Sequence, residues 1–220
     1  MRNITDWVEK TLGHKPQDQA LFERALTHSS RGDEHYERLE FLGDRVLGLT
    51  VATWLYELFP DEPEGKMSRR LNALVSGETC AEIAREIGVG GQVILGKQAR
   101  DDGAADSDNV LGDVVEALIG ALYLEAGLEE AARFIRSAWG DRVSTHDRAP
   151  KHPKSELQEW AAANNRRAPD YRMVGRSGPH HAPRFSVEVE IKGAGTATAE
   201  GLSKQEAETE AAKALLEKLK

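Results

Sequence analysis

Cys80 is the only cysteine among the 220 residues, so an intrachain disulfide is excluded. No apolar run reaches the roughly 20 residues of a membrane-spanning helix, and no membrane association is expected. The opening residues, MRNITDWVEK, lack the apolar core of a secretion signal. No repeat of long period is present, which removes solenoids and propellers from consideration. These absences together point to a cytoplasmic protein. What is present is ordinary for a globular chain: 40% hydrophobic and 30% charged residues. That is enough for one large or two small domains with real cores.

The formal net charge of -8 argues at first against a polyanionic partner. The charge is unevenly spread. Residues 151–220 hold 12 Lys+Arg against 10 Asp+Glu, whereas residues 1–150 hold 17 against 27. An acidic front half of -10 is joined to a back half of +2.

The apolar spacing divides the chain in the same way. In the front half, helical periods are expected over Ile4–Leu12, Gln17–Thr27, Asp33–Phe59, Glu64–Ser76, Glu78–Ile87, 109–126 and Glu129–Trp139. Pro60 and Pro63 break the third, Gly88 closes the fifth, and Gly127 separates the last two. KQARDDGAADSDN, residues 97–109, reads as a loop, with Ser107 or Asn109 able to cap the next helix. Residues 140–153 have no apolar period and two prolines, and read as an interdomain linker. Beyond it, Lys154–Asn164 reads as a helix, and Tyr171–Gly175, Arg184–Ile191 and TATAEG as strands. Ser203–Leu219 reads as an alanine-rich helix capped by Ser203. The order is α-β-β-β-α. In RFSVEVEIK, apolar Phe185, Val187, Val189 and Ile191 alternate with polar residues, as in a sheet with one wet face.

Two groups of acids stand out. In ERLEFLGD, residues 37–44, Glu37, Glu40 and Asp44 fall within about a 60° arc of one helix. In GDVVEALIGALYLEAG, Asp113 and Glu116 share a face of a helix otherwise made of Val, Leu, Ile and Ala. If the two helices pack, four carboxylates converge, at high cost unless they are protonated or metal-bound. No histidine lies three or four residues from any of them on the same helix. A di-iron carboxylate bundle wants Glu-x-x-His, and the positions three after Glu40 and Asp113 are Gly43 and Glu116. All-oxygen ligands favour Mg²⁺ or Mn²⁺.

ERLEFLGD resembles the signature of the ribonuclease III family. ALTHSS (25–30), PEGKMSRR (63–70), GDVVEALIGALYLEAG (112–127) and the C-terminal module follow in that family's order. The resemblance implies an all-α endonuclease domain (1–145), a linker (146–153) and a small α+β double-stranded-RNA-binding domain (154–220). It also implies Mg²⁺-dependent hydrolysis of both strands of double-stranded RNA by a homodimer, with Mn²⁺ able to substitute. By position, Glu40, Asp44, Asp113 and Glu116 match the metal ligands, Asp44 and Glu116 being catalytic. Glu37 and Glu64 match two further acids of the cutting valley, and Phe41 an aromatic residue of the dimer interface. Tyr36 stands where many members have asparagine, and Arg45 where many have a small residue. The loop before Asn109 lacks the paired glycines often found there. His28, in ALTHSS, reads as a packed or hydrogen-bonded histidine, not a catalytic one.

The C-terminal order and the segments PKSELQEW, GPHHAPRF and GLSKQEAETEAAKALL match the family's RNA-binding module. Such a module reads the shape of about 16 base pairs of A-form duplex. By position, Gln158 and His181 are expected at minor grooves and Lys204 at phosphates, where the helix N-terminus adds to its charge. Gln205, Glu206 and Glu208 follow Lys204, so weak binding by a single module is expected, with dimerisation supplying avidity. A non-catalytic RNA-binding protein of the same fold is the alternative; the presence of all four acids speaks against it.

Overall fold

The computed structural model describes residues 4–145, 153–177 and 184–219, with Asp141 and Thr145 described by their backbones alone. The chain divides into two compact units at Pro150/Lys151. The first is helical. Helices α1 (Ile4–Leu12), α2 (Gln19–Ala25), α3 (Glu37–Leu58), α4 (Glu64–Leu74), α5 (Gly77–Glu86), α6 (Lys97–Asp101) and α7 (Asp108–Thr145) follow in order. Short 3₁₀ turns lie at Ser29–Arg31, Val89–Gly91 and Ala104–Asp106.

Helices α3 and α7 form the central pair. Leu39, Val46, Leu47, Val51 and Leu55 of α3 share one core with Val114, Val115, Leu118, Ile119 and Leu122 of α7. Full burial of such side chains stabilises by roughly 1.5–3 kcal/mol each, so this pair fixes whatever its surface carries. Helix α7 is broken at Gly127, whose φ of 84° and ψ of 178° leave the helical region; a residue with a Cβ is strained at that φ.

Two expectations are corrected. The polar stretch 97–109 is not a plain loop, because it holds α6 and a 3₁₀ turn, and α7 begins at Asp108. Polar bonds support it: Gln98 donates to Asp102 at 3.0 Å, and Arg85 donates to Asp108 at 2.5 Å. Apolar periodicity does not register such bonds. The stretch 140–153 is not linker throughout, because α7 continues to Thr145 and the next helix begins at Pro153. Ile135, Trp139 and Val143 are buried at successive offsets of four, and the Trp139 indole N–H donates to the Leu74 carbonyl at 2.8 Å. One apolar residue, Val143, anchors the added turns, too sparse a signal to read as a period.

The second unit is α+β. Helix α8 (Pro153–Ala163) precedes strands β1 (Asp170–Ser177), β2 (Arg184–Ile191) and β3 (Gly195–Gly201), and α9 (Lys204–Leu219) follows. The strands form an antiparallel sheet in the order β1-β2-β3, with a register shift between Met173 and Gly175. Val189, Ile191 and Ala197 pack with Leu157 and Ala161 of α8 and with Ala211, Ala212, Leu215 and Leu216 of α9. A capping box starts α9: Ser203 Oγ accepts from the Glu206 N–H, and the Glu206 carboxylate accepts from the N–H groups of Leu202 and Ser203.

Candidate functional site

The site is built where α3 crosses α7 backbone to backbone. A Cβ on Gly43 would lie 1.7 Å from the Glu116 carbonyl oxygen, and one on Gly120 would lie 2.3 Å from the Leu39 carbonyl oxygen. Only glycine permits that approach. Glu40 and Asp44 flank Gly43 on α3, and Glu116 stands one turn before Gly120 on α7. The crossing therefore brings the acids of ERLEFLGD beside those of GDVVEALIG.

Their electrostatics record the convergence. Glu116 is pushed up to about 7, first by burial and then by Asp44, Glu40 and Asp113. Burial also raises the Glu40 carboxyl, with Asp113, Asp44 and Glu37 adding to it. Asp113 is raised by burial although Tyr36 and His28 pull it down. Among the described residues, the one group that pulls Glu116 down is the Cys80 thiol, which is not a cation.

The two α7 acids of the site are each held by a neutral donor. The Tyr36 hydroxyl donates to Asp113 Oδ2 at 3.2 Å, and the Cys80 thiol donates to Glu116 Oε1 at 3.8 Å. Burial and the adjoining carboxylates drive both groups' pKa values up, so both keep their protons. On α3, Asp44 is paired with Arg45, whose guanidinium also lies 4.5 Å from the centre of the Phe41 ring. Neither Tyr36 nor Cys80 was singled out as a functional residue from the sequence. Tyr36 lies just before the signature, but its reach to α7 is a tertiary contact.

The other expected residues take different places. Glu37 is exposed at the rim, 3.9 Å from His35, and its charge is felt by Glu40, Asp113 and Tyr36. Glu64 does not join the four acids: it accepts from Ser68 Oγ at 2.6 Å and lines a groove with Tyr56, Met67 and Leu71. Phe41 is 60% exposed. His28 serves its own turn, bonding Ser30 and packing edge-on against Tyr36.

The donor set suits a hard divalent cation: four carboxylates, with the one nearby thiol kept protonated. Their geometry is convergent but not closed. Asp44 is turned to Arg45, and among the described residues no three His, Cys, Asp or Glu side chains form a finished coordination group.

In the second unit, Gln158 lines an open cleft with Lys154, Ser155, Tyr171 and Gln205. Lys204 is exposed at the start of α9, with Nζ 3.8 Å from Glu208. His181 lies outside the described residues.

Comparison with known proteins bears on both units. Residues 18–141 match the Ribonuclease-III-like family, and residues 153–219 match the double-stranded RNA binding motif. The chain is 64% identical over 211 residues to Ribonuclease 3 of Zymomonas mobilis, covering 96% of this chain and 86% of the relative. It is 46% identical over 220 residues to Ribonuclease 3 of Caulobacter vibrioides, covering 96% and 94%. Among solved structures, the nuclease domain of ribonuclease III from Campylobacter jejuni superposes with a TM-score of 0.60 at 36% identity, over 64% of this chain and 98% of that one. A second structure of that domain, at 35% identity and a TM-score of 0.59, covers 61% of this chain and 97% of its own. It is described by structural flexibility in a region involved in dimer formation. With both units matched in order and the relatives covered nearly end to end, the chain belongs to the ribonuclease III family of endoribonucleases acting on double-stranded RNA.

Proposed function

We propose that the protein is a Mg²⁺-dependent, homodimeric endoribonuclease that cuts both strands of double-stranded RNA. In this reading the products are staggered ends with 5′-phosphate and 3′-hydroxyl groups, and the substrates are structured precursors of ribosomal and messenger RNA in the cytoplasm. Residues 1–145 are the nuclease domain, 146–153 the linker and 154–220 the RNA-binding domain. The carrying observation is the Gly43–Gly120 crossing, which gathers Glu40, Asp44, Asp113 and Glu116 so closely that the other three raise the Glu116 carboxyl.

Those four acids would hold Mg²⁺, with Mn²⁺ as a substitute. When bound, the ion supplies water activation and neutralises phosphate charge. The chain's own residues do the rest. Tyr36 and Cys80 hold the α7 carboxylates in place through Asp113 and Glu116. Asp44, once released from Arg45, and Glu116 would orient the attacking water, and Glu37 and Glu64 would flank the path of the strand. Gln158, His181 and Lys204 anchor the duplex. Phe41, Leu49 and Tyr56 are exposed on α3 within about an 80° arc, an apolar stripe suited to a second copy of this chain.

The test is incubation of a long RNA duplex with the full chain, with and without Mg²⁺, alongside sedimentation of the protein. Mg²⁺-dependent, duplex-specific products with 5′-phosphate ends, made by a dimer, are expected. Cleavage in chelator, or of single strands alone, would overturn the reading.

A further inference from the structure

We propose that Glu208 limits the RNA affinity of the C-terminal unit by engaging both lysines of its RNA face, Lys154 and Lys204. The inference rests on the reading that Lys204 and Gln158 meet the duplex. Glu208 lies one turn after Lys204 on α9. One carboxylate oxygen is 2.5 Å from Lys154 Nζ in the first turn of α8, and the other is 3.8 Å from Lys204 Nζ. The Glu208 side chain is only 16% exposed, whereas Lys204 is 64% exposed. Its negative charge is thus sheltered from solvent and salt beside the exposed Lys204 and the half-buried Lys154.

The neighbouring geometry fixes where that charge acts. Gln158 stands one turn after Lys154, and both line the same open cleft with Tyr171 and Gln205. Lys154 Nζ also lies 4.9 Å from the centre of the Tyr171 ring. The cleft therefore joins the starts of α8 and α9, each of which carries a lysine. The other acid of this region, Glu206, has a separate task in the cap of α9. Glu208 caps nothing. A phosphate that approaches Lys204 must compete with a carboxylate already there, so the binding gain is a difference between two ion pairs.

The test uses the full chain without divalent ions, so that binding is read without cleavage. Anisotropy of a labelled RNA duplex is followed over a range of salt concentrations for the wild type, Glu208→Gln and Lys204→Gln. Glutamine keeps the volume and can still accept from Lys154, but carries no charge. The expected result is a Kd about three- to tenfold lower for Glu208→Gln at low salt, with the log–log salt slope steeper by about one per chain. Lys204→Gln should weaken binding and flatten the slope. If Glu208→Gln binds no tighter while Lys204→Gln weakens, this inference is overturned and the reading of the face stands. If neither variant moves affinity, the reading of the face fails. Melting is recorded for each variant, and Glu208→Leu, which fills the same space, carries the same expectation as glutamine. Unfolding of both Glu208 variants would assign this residue to the α8–α9 junction alone and overturn the proposal.

Discussion

Replacing Glu116 by glutamine should stabilise the metal-free protein at alkaline pH while leaving its stability near pH 4.5 unchanged. Burial and three neighbouring carboxylates raise the Glu116 carboxyl from an ordinary 4.5 to about 7. A carboxyl raised in the folded state binds its proton more tightly there than in the unfolded chain. Its contribution to stability is fully present below about 4.5 and is lost as pH rises through about 7. At about 1.4 kcal/mol per pH unit, the rise corresponds to about 3 kcal/mol, which partial solvent access reduces to about 1–2 kcal/mol. Glutamine does not titrate and still accepts from the Cys80 thiol. For a unit of this size, the helical melt should rise by about 2–8 °C at pH 8. Thermal unfolding in chelator at pH 4.5 and pH 8, followed by circular dichroism, measures it. Adding Mg²⁺ at pH 8 should raise the wild-type melt more than that of the variant. A variant less stable at pH 8, or a difference that does not change with pH, would refute the electrostatic reading of the cluster.

Gly43→Ala should destabilise the helical unit by about 3 kcal/mol or more, because the new Cβ meets the Glu116 carbonyl at 1.7 Å and the helices must part; denaturant unfolding reads the loss, and a wild-type midpoint would contradict it. Tyr36→Phe removes the donor to Asp113 and should weaken metal binding about tenfold with little change in fold; Mn²⁺ titration by electron paramagnetic resonance checks this, and unaltered affinity would remove Tyr36 from the site. Deleting residues 151–220 should leave an enzyme that cuts at low salt and loses activity steeply as salt rises, because the anchoring contacts are gone. Parallel curves of initial rate against salt for the two proteins would mean that the C-terminal unit does not anchor substrate.

Much of this protein is written in local patterns. The alternation in RFSVEVEIK, the Ser203 cap and the break at Gly127 each depend on residues adjacent in sequence, and each lies where the sequence places it. The pairing of acids needed one further step, the packing of two helices, and Gly43 and Gly120 sit within the same two motifs. What escaped is tertiary or sparse. Tyr36 and Cys80 reach their carboxylates across 77 and 36 residues of chain. The last turns of α7 bury one apolar residue, Val143, beside Arg142, which pairs with Glu82 and Glu86 of α5. Glu208 was legible as an acid near Lys204, but its closer partner, Lys154, is 54 residues away.

The proposal that the four acids cut RNA while the C-terminal unit binds it is tested most directly by comparing Glu116→Gln with the wild type on one long duplex. Cleavage is measured in Mg²⁺, and binding is measured beside it under the same salt. The variant should not cleave and should bind the duplex as tightly as the wild type. Retained cleavage would remove Glu116 from the site, and loss of binding together with cleavage would contradict the division of labour between the two units.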